Sequence, residues 1–443
     1  MLDQSFSAAS FRRILDQENR KGVYLEGRYF PNTVAVTEQI KQCNADIKEK
    51  KKSSSVPQDE IDTLKEKLDN LKQTKEDLLM KELQNLSDRV VDRSFEIKLK
   101  RTDIPNSKPI YTPQDTPEHY FSMKQLQRNV ANLFGVKQAN RSSIVAQVKA
   151  LLNDRFPKYV VRMDIKDFYE SIPHQSLLER INGDNLLTPF SRKLLRQILN
   201  EYKAKSGSVT GIPRGIGVSA YLAELYMRDV DKDIKALPGV TYYARYVDDI
   251  VIIFTPTATL YNVDLIDELK SIVGKKYKLA LNSDKTHVFD LRNGDSSHEF
   301  DYLGYKIHFG NGEIKTKLTK RKTAKYKKRI SSAFDEYVRL SRFDEKKARK
   351  LLVKRVRYLT GNTSLLNNKN NILVGIYYSN SELTDNTDLI GVDRYLDNEI
   401  NKKVSLQQVK QRLRKYSFNE GFETKKFSPF TAQDLKSIVK VWK

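Results

Sequence analysis

The chain has 443 residues, a formal net charge of +23 at pH 7 and a sequence pI of about 9.6. This excess of cations predicts a polyanionic partner, nucleic acid before a membrane, with simple solubility as the alternative explanation. A single cysteine, Cys43, excludes a disulfide framework and a cysteine-built zinc site, and the five histidines show no metal-ligand spacing.

Residues 1–94 are predicted to form an N-terminal extension. The opening MLDQSFSAASFRRIL lacks a basic segment followed by an apolar core, and no stretch approaches the roughly 20 apolar residues of a membrane span, so we expect a cytoplasmic protein without membrane contact. Apolar residues recur at helical steps on both sides of the loop SSSVPQDE, which predicts a helical hairpin over 36–92. The hairpin could be a spacer arm, or an intermolecular coiled coil that would make the protein an oligomer.

Residues 95–314 alternate strand-like and helical segments and predict a mixed α/β (α+β) domain. The strand-like segments are KYVVRMDIKDFY, VTYYARYVDDIVIIF and FDYLGYKIHF, and SAYLAELYMRDVDKDI has a helical period. Residues 315–443 are helical and basic, beginning with KTKLTKRKTAKYKKRI. A charge run is usually a solvated face, but its position directly after the mixed domain favours a nucleic-acid groove.

Two adjacent acids, Asp248 and Asp249, interrupt the apolar run YARYVDDIVIIF. Adjacent side chains on one strand point to opposite faces, so a tight turn between YARYV and IVIIF is needed to place both at a hairpin tip. Such a turn is weak evidence alone, because turns favour Asp. Asp164 interrupts the strand-like VVRMDIKDFY in the same way. Carboxylates from neighbouring strands that hold two Mg²⁺ ions, or Mn²⁺, suit in-line phosphoryl transfer, so we predict a metal site here.

The order of these segments resembles that of the fingers and palm of reverse transcriptases. RMDIKDFYESIPH resembles their first carboxylate motif, GIPRGIGVSAYLAELYMRDVD the following turn and helix, and YVDD their Tyr-x-Asp-Asp box. LALNSDKTHVFD resembles the next motif with its lysine, FDYLGYKIHF the primer-grip hairpin, and FGVKQANRSSIVAQV the fingers segment upstream. The resemblance implies a right-hand polymerase with fingers, palm and a helical thumb, which copies RNA into DNA from dNTPs with magnesium.

The resemblance also implies roles for the matching residues. Asp164 and Asp248 would bind metal, Asp249 would complete the carboxylate set, and Lys285 would protonate pyrophosphate, unless it is only a surface charge. Tyr169 matches the bulky position that excludes a ribose 2′-hydroxyl, with an ordinary core tyrosine as the alternative. The implied nucleotide-binding residues are Lys137, Arg141, Asp167, Phe168, Tyr169, Arg214 and Gly215, and the implied primer grip is Tyr302, Leu303 and Gly304.

Within the nucleotide-binding set, Lys137 and Arg141 would neutralise the triphosphate, although a structural salt bridge is an alternative for Arg141. Arg214 is a departure, because most relatives have Gln in the corresponding Pro-Gln-Gly. A guanidinium cannot accept a hydrogen bond and brings a fixed charge. The geometry of the nucleotide pocket is therefore expected to differ from that of the relatives.

The segments LDQSFSAASFRRILDQENRKG and RYLTGNTSLLNNKNNILVGIYYSN resemble bacterial defence-associated (antiphage) reverse transcriptases, which are related to retron and group II intron enzymes. Within this class, the two segments resemble the first polymerase of type-three, two-polymerase systems. This resemblance implies a ribonucleoprotein with a non-coding RNA as template or scaffold, a second reverse transcriptase subunit and a repetitive DNA product.

Three functions stay open from the sequence. The first is an active RNA-directed DNA polymerase, for which the intact carboxylate set is the evidence. The second is a scaffold that uses the polymerase fold to bind RNA or a protein, with catalysis secondary or lost; Arg214 and the helical hairpin motivate it. The third is a template-independent nucleotidyltransferase, which the same metals would support.

Overall fold

The computed structural model describes residues 3–51, 57–105, 107–135, 139–154, 156–256, 264–292, 297–310, 313–365 and 372–442. The chain forms two compact units. The first unit comprises Met1–Gln138, Lys166–Asp233 and Ile272–Ala280, and the second comprises Ala139–Ile165, Ile234–Ser271 and Leu281–Lys443.

The α-helices are α1 (Ala8–Arg20), α2 (Leu25–Tyr29), α3 (Pro31–Lys50), α4 (Gln58–Val91), α5 (Pro117–Leu133), α6 (Arg141–Asn153), α7 (Phe168–Ser171), α8 (His174–Gly183), α9 (Pro189–Ser206), α10 (Gly217–Lys235), α11 (Leu265–Lys270), α12 (Lys320–Ser341), α13 (Glu345–Thr360), α14 (Thr387–Lys403), α15 (Gln407–Leu413), α16 (Phe418–Glu423) and α17 (Ala432–Val439). The strands are β1 (Leu99–Thr102), β2 (Ile110–Pro113), β3 (Tyr159–Asp164), β4 (Val240–Tyr246), β5 (Asp249–Phe254), β6 (His287–Asp290), β7 (His298–Tyr302), β8 (Tyr305–Gly310), β9 (Glu313–Leu318), β10 (Asn362–Leu365) and β11 (Ile372–Gly375). The mixed α/β (α+β) class predicted from the sequence is confirmed.

The first unit is mainly helical. In the region 36–92 it has α3 and α4, which pack against each other around Cys43, Ile47 and Leu68. The opening helix α1 packs on α4 and α5, where the ring centroids of Phe11 and Phe121 are 5.5 Å apart. A single antiparallel pair, β1 and β2, is the only sheet among this unit's described residues. Burial of apolar helix faces therefore holds the N-terminal extension to α5.

The second unit is built on a four-stranded antiparallel sheet with the order β4-β5-β3-β6. The central strands β5 and β3 are rich in β-branched residues and almost completely buried, as strands covered on both faces should be. A second antiparallel sheet has the order β7-β8-β9. The hydrophobic core of this unit is continuous: it includes residues of the first sheet, of β7–β9 and of the C-terminal helices α12–α16.

The C-terminal helices pack as α12 on α13 and α14, and α13 on α17. Helix α12 begins where the Thr319 hydroxyl accepts a hydrogen bond from the Lys322 amide, a standard N-cap. Its apolar side buries Ile330, Phe334 and Tyr337, while its other side carries the basic run seen in the sequence. Within the described residues, no helix has the length and apolar character to cross a membrane.

Candidate active site

The two adjacent acids of YVDD lie at a tight hairpin turn, as their position in an apolar run predicts. Tyr246 at the end of β4 pairs with Asp249 at the start of β5, so only Val247 and Asp248 form the connection. Val247 has a φ of 61°, in the left-handed region that β-branched residues rarely adopt. Such strain persists only where the surrounding structure enforces it, and it is concentrated at functional sites. Here the conformation of Val247 places the Asp248 side chain next to that of Asp249.

A third acid from the adjacent strand completes a cluster. Asp164 ends β3 and pairs directly with Asp249 on β5. Its side chain is buried, and one carboxylate oxygen from each of Asp164, Asp248 and Asp249 lies within 4.8 Å of the others. Among the described residues this is the one group of three or more acidic, histidine or cysteine side chains that could hold a metal ion. Strand register therefore brings together the three carboxylates that were predicted to bind metal.

The side chains of Lys285, Arg162 and Asn282, which belong to the same compact unit as the three acids, contact this cluster. The Lys285 Nζ lies 3.0 Å from Asp164 Oδ2, and Arg162 donates from one terminal nitrogen to Asp249 Oδ1 at 2.7 Å. Asn282 donates from Nδ2 to Asp164 Oδ1 at 3.2 Å. Burial raises the pKa of Asp249, and the charges of Asp248 and Asp164 raise it further, against the opposing charges of Arg162 and Lys285. Asp164 and Asp249 therefore each have a cation beside them, and burial still raises the pKa of Asp249.

The donor set fits a hard divalent cation. All three ligands are carboxylates, which Mg²⁺ and Mn²⁺ prefer over softer donors, and no histidine or cysteine belongs to the cluster. A divalent cation at Asp164, Asp248 and Asp249 would offset both the burial and the repulsion between carboxylates that raise the pKa of Asp249. The residues present therefore suit the metal that the resemblance implies.

Arg162 is a functional candidate that our sequence analysis missed. Its guanidinium is buried and donates both to Asp249 and to the carbonyl oxygen of Lys285, so it connects the hairpin acid to the segment that carries the lysine. The sequence did contain a signal. Arg162 precedes Asp164 by two residues on a strand, so both side chains lie on one face. A charged residue in the apolar run YVVRMD should have suggested a buried partner.

The predicted primer-grip residues form the turn between β7 and β8. Tyr302 pairs with Tyr305, and the two intervening residues, Leu303 and Gly304, both have positive φ, at 46° and 78°. Positive φ at both central residues is the geometry of a type I′ hairpin turn. The Tyr302 hydroxyl is buried without a hydrogen-bond partner among the described residues, and burial followed by the Asp249 charge raises its pKa.

Arg141, predicted to neutralise the triphosphate, lies against this turn. Its Nε donates to the Leu303 carbonyl at 2.7 Å, a terminal nitrogen contacts the same oxygen, and its guanidinium carbon is 5.6 Å from the Tyr305 ring centroid. The φ of 78° at Gly304 is a conformation that side chains rarely adopt, which explains glycine there, and a Cβ would also crowd the Arg141 guanidinium. Lys137 lies outside the described residues.

Lys322, at the start of α12, is a second cation on the Tyr305 ring. Its Nζ is 4.8 Å from the ring centroid and donates to the Ser379 carbonyl at 2.8 Å. Burial lowers the pKa of Lys322 to about 7, with Arg141 and Lys325 contributing in the same direction. Between pH 7 and the ordinary value of 10.5 the unfolded chain therefore binds more protons, and this group makes stability rise with pH.

Replacing Lys322 with Met is accordingly expected to stabilise the protein at pH 7 by about 1–2 kcal/mol, because the cost of burying an amine disappears. The gain should shrink as the pH approaches 10.5. Urea unfolding at pH 7 and pH 10 measures it, with Met at the exposed Lys328 as the control. An equal gain at both pH values would contradict this account.

The other predicted nucleotide-binding residues belong to the first unit. Asp167, with a φ of 47°, precedes α7, whose first residues are Phe168 and Tyr169; Phe168 is buried. Lys108 binds Asp167 at 2.7 Å and lowers its pKa. Gly215 has a φ of 99°, and a Cβ there would lie 2.6 Å from the Tyr111 carbonyl, so glycine is required by the protein's own backbone.

Arg214, the departure from the family pattern, has an acidic partner next to Tyr169 in the chain. Its Nε and one terminal nitrogen donate to the two carboxylate oxygens of Glu170, at 2.6 and 3.0 Å. Its guanidinium carbon lies 5.2 Å from the Tyr169 ring centroid. This two-point geometry is the strong form of an arginine–carboxylate pair.

Residues 117–307 match the family model described as reverse transcriptase (RNA-dependent DNA polymerase). The match contains the carboxylate cluster and its hairpin, so the chain carries a reverse transcriptase domain. With the observed mixture of helices and strands, it confirms the predicted right-hand polymerase fold. No curated protein matches the chain.

Among solved structures, the chain is similar to telomerases from two Candida species. Apo telomerase from Candida tropicalis is 15% identical over 79% of this chain and 63% of its own, with a TM-score of 0.42. The same telomerase truncated from its C-terminal domain is 15% identical over 51% of this chain and 56% of its own, with a TM-score of 0.38. Candida albicans telomerase with a fragment of telomeric RNA is 11% identical over 78% of this chain and 64% of its own, with a TM-score of 0.36. The chain spans less than two thirds of each.

Proposed function

We propose that this chain is an RNA-directed DNA polymerase that adds dNTPs to a primer 3′-hydroxyl. The observation that carries the proposal is the convergence of Asp164, Asp248 and Asp249 inside the segment that matches the reverse transcriptase family. These three residues would hold the divalent cations, which, when bound, supply charge neutralisation for the attacking and leaving oxygens.

The chain's own groups have separate tasks in this reaction. Arg162 holds Asp249 in place by donating a hydrogen bond to its carboxylate. Lys285 keeps its ammonium group at Asp164 and is half exposed, so it is suited to give a proton to the departing pyrophosphate. The Tyr302–Tyr305 turn, braced by Arg141, would support the primer end, and Tyr169 would exclude a ribose 2′-hydroxyl.

Sequencing of the products tests the proposal. Purified protein with its own RNA should make DNA complementary to that RNA, and ribonuclease pretreatment should abolish synthesis. Synthesis that survives ribonuclease with an unchanged product would instead indicate a template-independent nucleotidyltransferase. Loss of Asp164 without consequence in cells would favour the scaffold function.

A basic cleft on the C-terminal helices supports RNA as the partner. The cleft has a volume of about 640 Å³ and no carboxylate in its described lining. Its lining residues are Lys346, Arg349, Lys350, Val353, Lys354 and Arg357 from α13, with Gln408, Val409 and Arg412 from α15. The α13 residues recur at steps of three and four and therefore form one stripe along the helix. A stripe of cations suits a phosphate backbone, whose binding releases counterions.

Neutralising three exposed cations of this cleft, with Lys346→Gln, Lys350→Gln and Arg412→Gln together, should weaken RNA binding. The slope of log affinity against log salt should fall by about 2, since each lost phosphate contact removes about 0.7–0.9. Fluorescence anisotropy over a salt series measures the slope. The matched control replaces the exposed Lys48, Lys67 and Lys81 of α3 and α4 with Gln. Equal slopes for the two triple variants would count against the cleft.

We further propose a role in antiphage defence, inside a ribonucleoprotein with a non-coding RNA and a second reverse transcriptase subunit, with repetitive DNA as product. The support is the sequence resemblance of the opening segment and of RYLTGNTSLLNNKNNILVGIYYSN, part of which lies outside the described residues. Sequencing of the nucleic acid that co-purifies with wild-type and Asp248→Ala protein tests it. A product of mixed sequence would exclude repetitive synthesis.

A further inference from the structure

Arg214 and Tyr169 are joined by more than one contact. Arg214 binds both carboxylate oxygens of Glu170, the residue that directly follows Tyr169, and its guanidinium carbon also lies 5.2 Å from the Tyr169 ring centroid. A cation at this distance from a ring centroid is attracted to the ring. The same guanidinium therefore contacts the tyrosine ring and fixes its neighbour in the chain.

The backbone around this contact is also held at several points. The Ile212 amide donates to the Tyr169 carbonyl at 2.7 Å, and the Thr210 hydroxyl donates to the Glu170 carbonyl at 3.0 Å. The Arg214 carbonyl accepts from the Tyr111 amide at 2.7 Å. The loop that carries Arg214 thus runs along α7 with little freedom to move away from it.

The charge of Arg214 is offset locally. Its side chain is 38% exposed and that of Glu170 is 25% exposed, so the pair is partly removed from solvent. Lys108 pairs with Asp167, the other acid at this end of α7. Two acid–base pairs therefore flank Tyr169 and Phe168, and the arginine at the family's Gln position donates to Glu170 from two of its nitrogens.

We propose that Arg214 is a positioning residue that, through Glu170 and the ring face, fixes Tyr169 in the orientation that discriminates deoxyribose from ribose nucleotides. The inference rests on the proposed polymerase function and assigns the departure from the family pattern a role in sugar specificity. Without the guanidinium, the Tyr169 ring gains rotamer freedom and the 2′-hydroxyl is excluded less strictly.

The test is the ratio of kcat/KM for dTTP to that for UTP. Arg214→Gln should lower this ratio about tenfold, mainly by improving UTP use. Rejection of one added hydroxyl group by pocket shape is worth about one to two orders of magnitude, and loosening the Tyr169 ring should remove part of that factor. Arg214→Lys keeps the positive charge but cannot form the two-point hydrogen bonds to Glu170, so it should lower the ratio less than Arg214→Gln does. In a Tyr169→Ala background, Arg214→Gln should change the ratio no further.

The matched control is Arg339→Gln, which breaks the similar two-point pair of Arg339 with Glu336 on α12. It should leave the ratio unchanged, and thermal unfolding checks that each variant is folded. An unchanged dTTP/UTP ratio in folded Arg214→Gln would overturn the positioning role of Arg214, as would an equal fall of the ratio in the Tyr169→Ala background. Either result would leave the polymerase proposal intact. A wild-type protein that incorporates neither nucleotide would overturn the polymerase proposal and this inference together.

Discussion

Replacing Asp248 with Asn is expected to reduce dNTP incorporation by at least about 10³-fold, equivalent to roughly 4 kcal/mol of transition-state stabilisation. The substitution keeps the shape of the side chain but removes a negative charge from the cluster that includes Asp164 and Asp249. The site then attracts a divalent cation less strongly, and the loss should appear in kcat because the cations act on the reacting oxygens. Primer extension at saturating dNTP measures the effect.

The control for this prediction is Asp290→Asn, an exposed acid of the same sheet that pairs with Arg292 nearby in sequence. Its incorporation rate should stay within about twofold of wild type, because exposed pairs contribute little. Both variants should unfold at temperatures close to wild type. A folded Asp248→Asn protein that retains more than a tenth of the wild-type rate would exclude the carboxylate cluster as the catalytic centre.

Replacing Arg162 with Met is expected to lower the free energy of unfolding by about 2–3 kcal/mol and to impair incorporation. Arg162 is buried and donates to Asp249, so its loss leaves a carboxylate without its main compensating charge in a poorly solvated place. Urea unfolding at pH 7 measures the stability. The hydrogen bond to the Lys285 carbonyl is lost in the same variant, which is expected to loosen the lysine segment.

A double-mutant cycle separates this pair from general packing. Adding Asp249→Asn to Arg162→Met should recover about 1 kcal/mol or more, since the uncompensated charge is gone. Met at Arg414, whose partner Asp397 is about half exposed, is the matched single control and should cost under about 1 kcal/mol. Additive effects of the Arg162 and Asp249 substitutions would show that the two side chains do not stabilise each other.

The parts of the site that could be predicted from the sequence depend on short-range rules. Side-chain alternation and one tight turn suffice to place Asp248 and Asp249 at a hairpin tip, and strand-like flanks point to Asp164 as their partner.

The pairs that hold the site together could not be predicted, because their members are distant in the chain. Arg162 and Asp249 are 87 residues apart, Arg141 and the Leu303 carbonyl 162, and Glu170 and Arg214 44. A single sequence gives no register between such segments. The contact of the Arg141 guanidinium with a backbone carbonyl of the β7–β8 turn is one that no sequence pattern indicated, and its role towards a triphosphate stays a prediction.

The most direct test of the polymerase account is single-nucleotide incorporation on a set of RNA templates that differ only in the templating base. Each reaction contains the same primer, magnesium and one dNTP. The account predicts that wild-type protein adds only the complementary dNTP on each template, and that Asp248→Asn adds none at a comparable rate. Incorporation of the same nucleotide on every template, or of none on any, would contradict RNA-directed DNA synthesis.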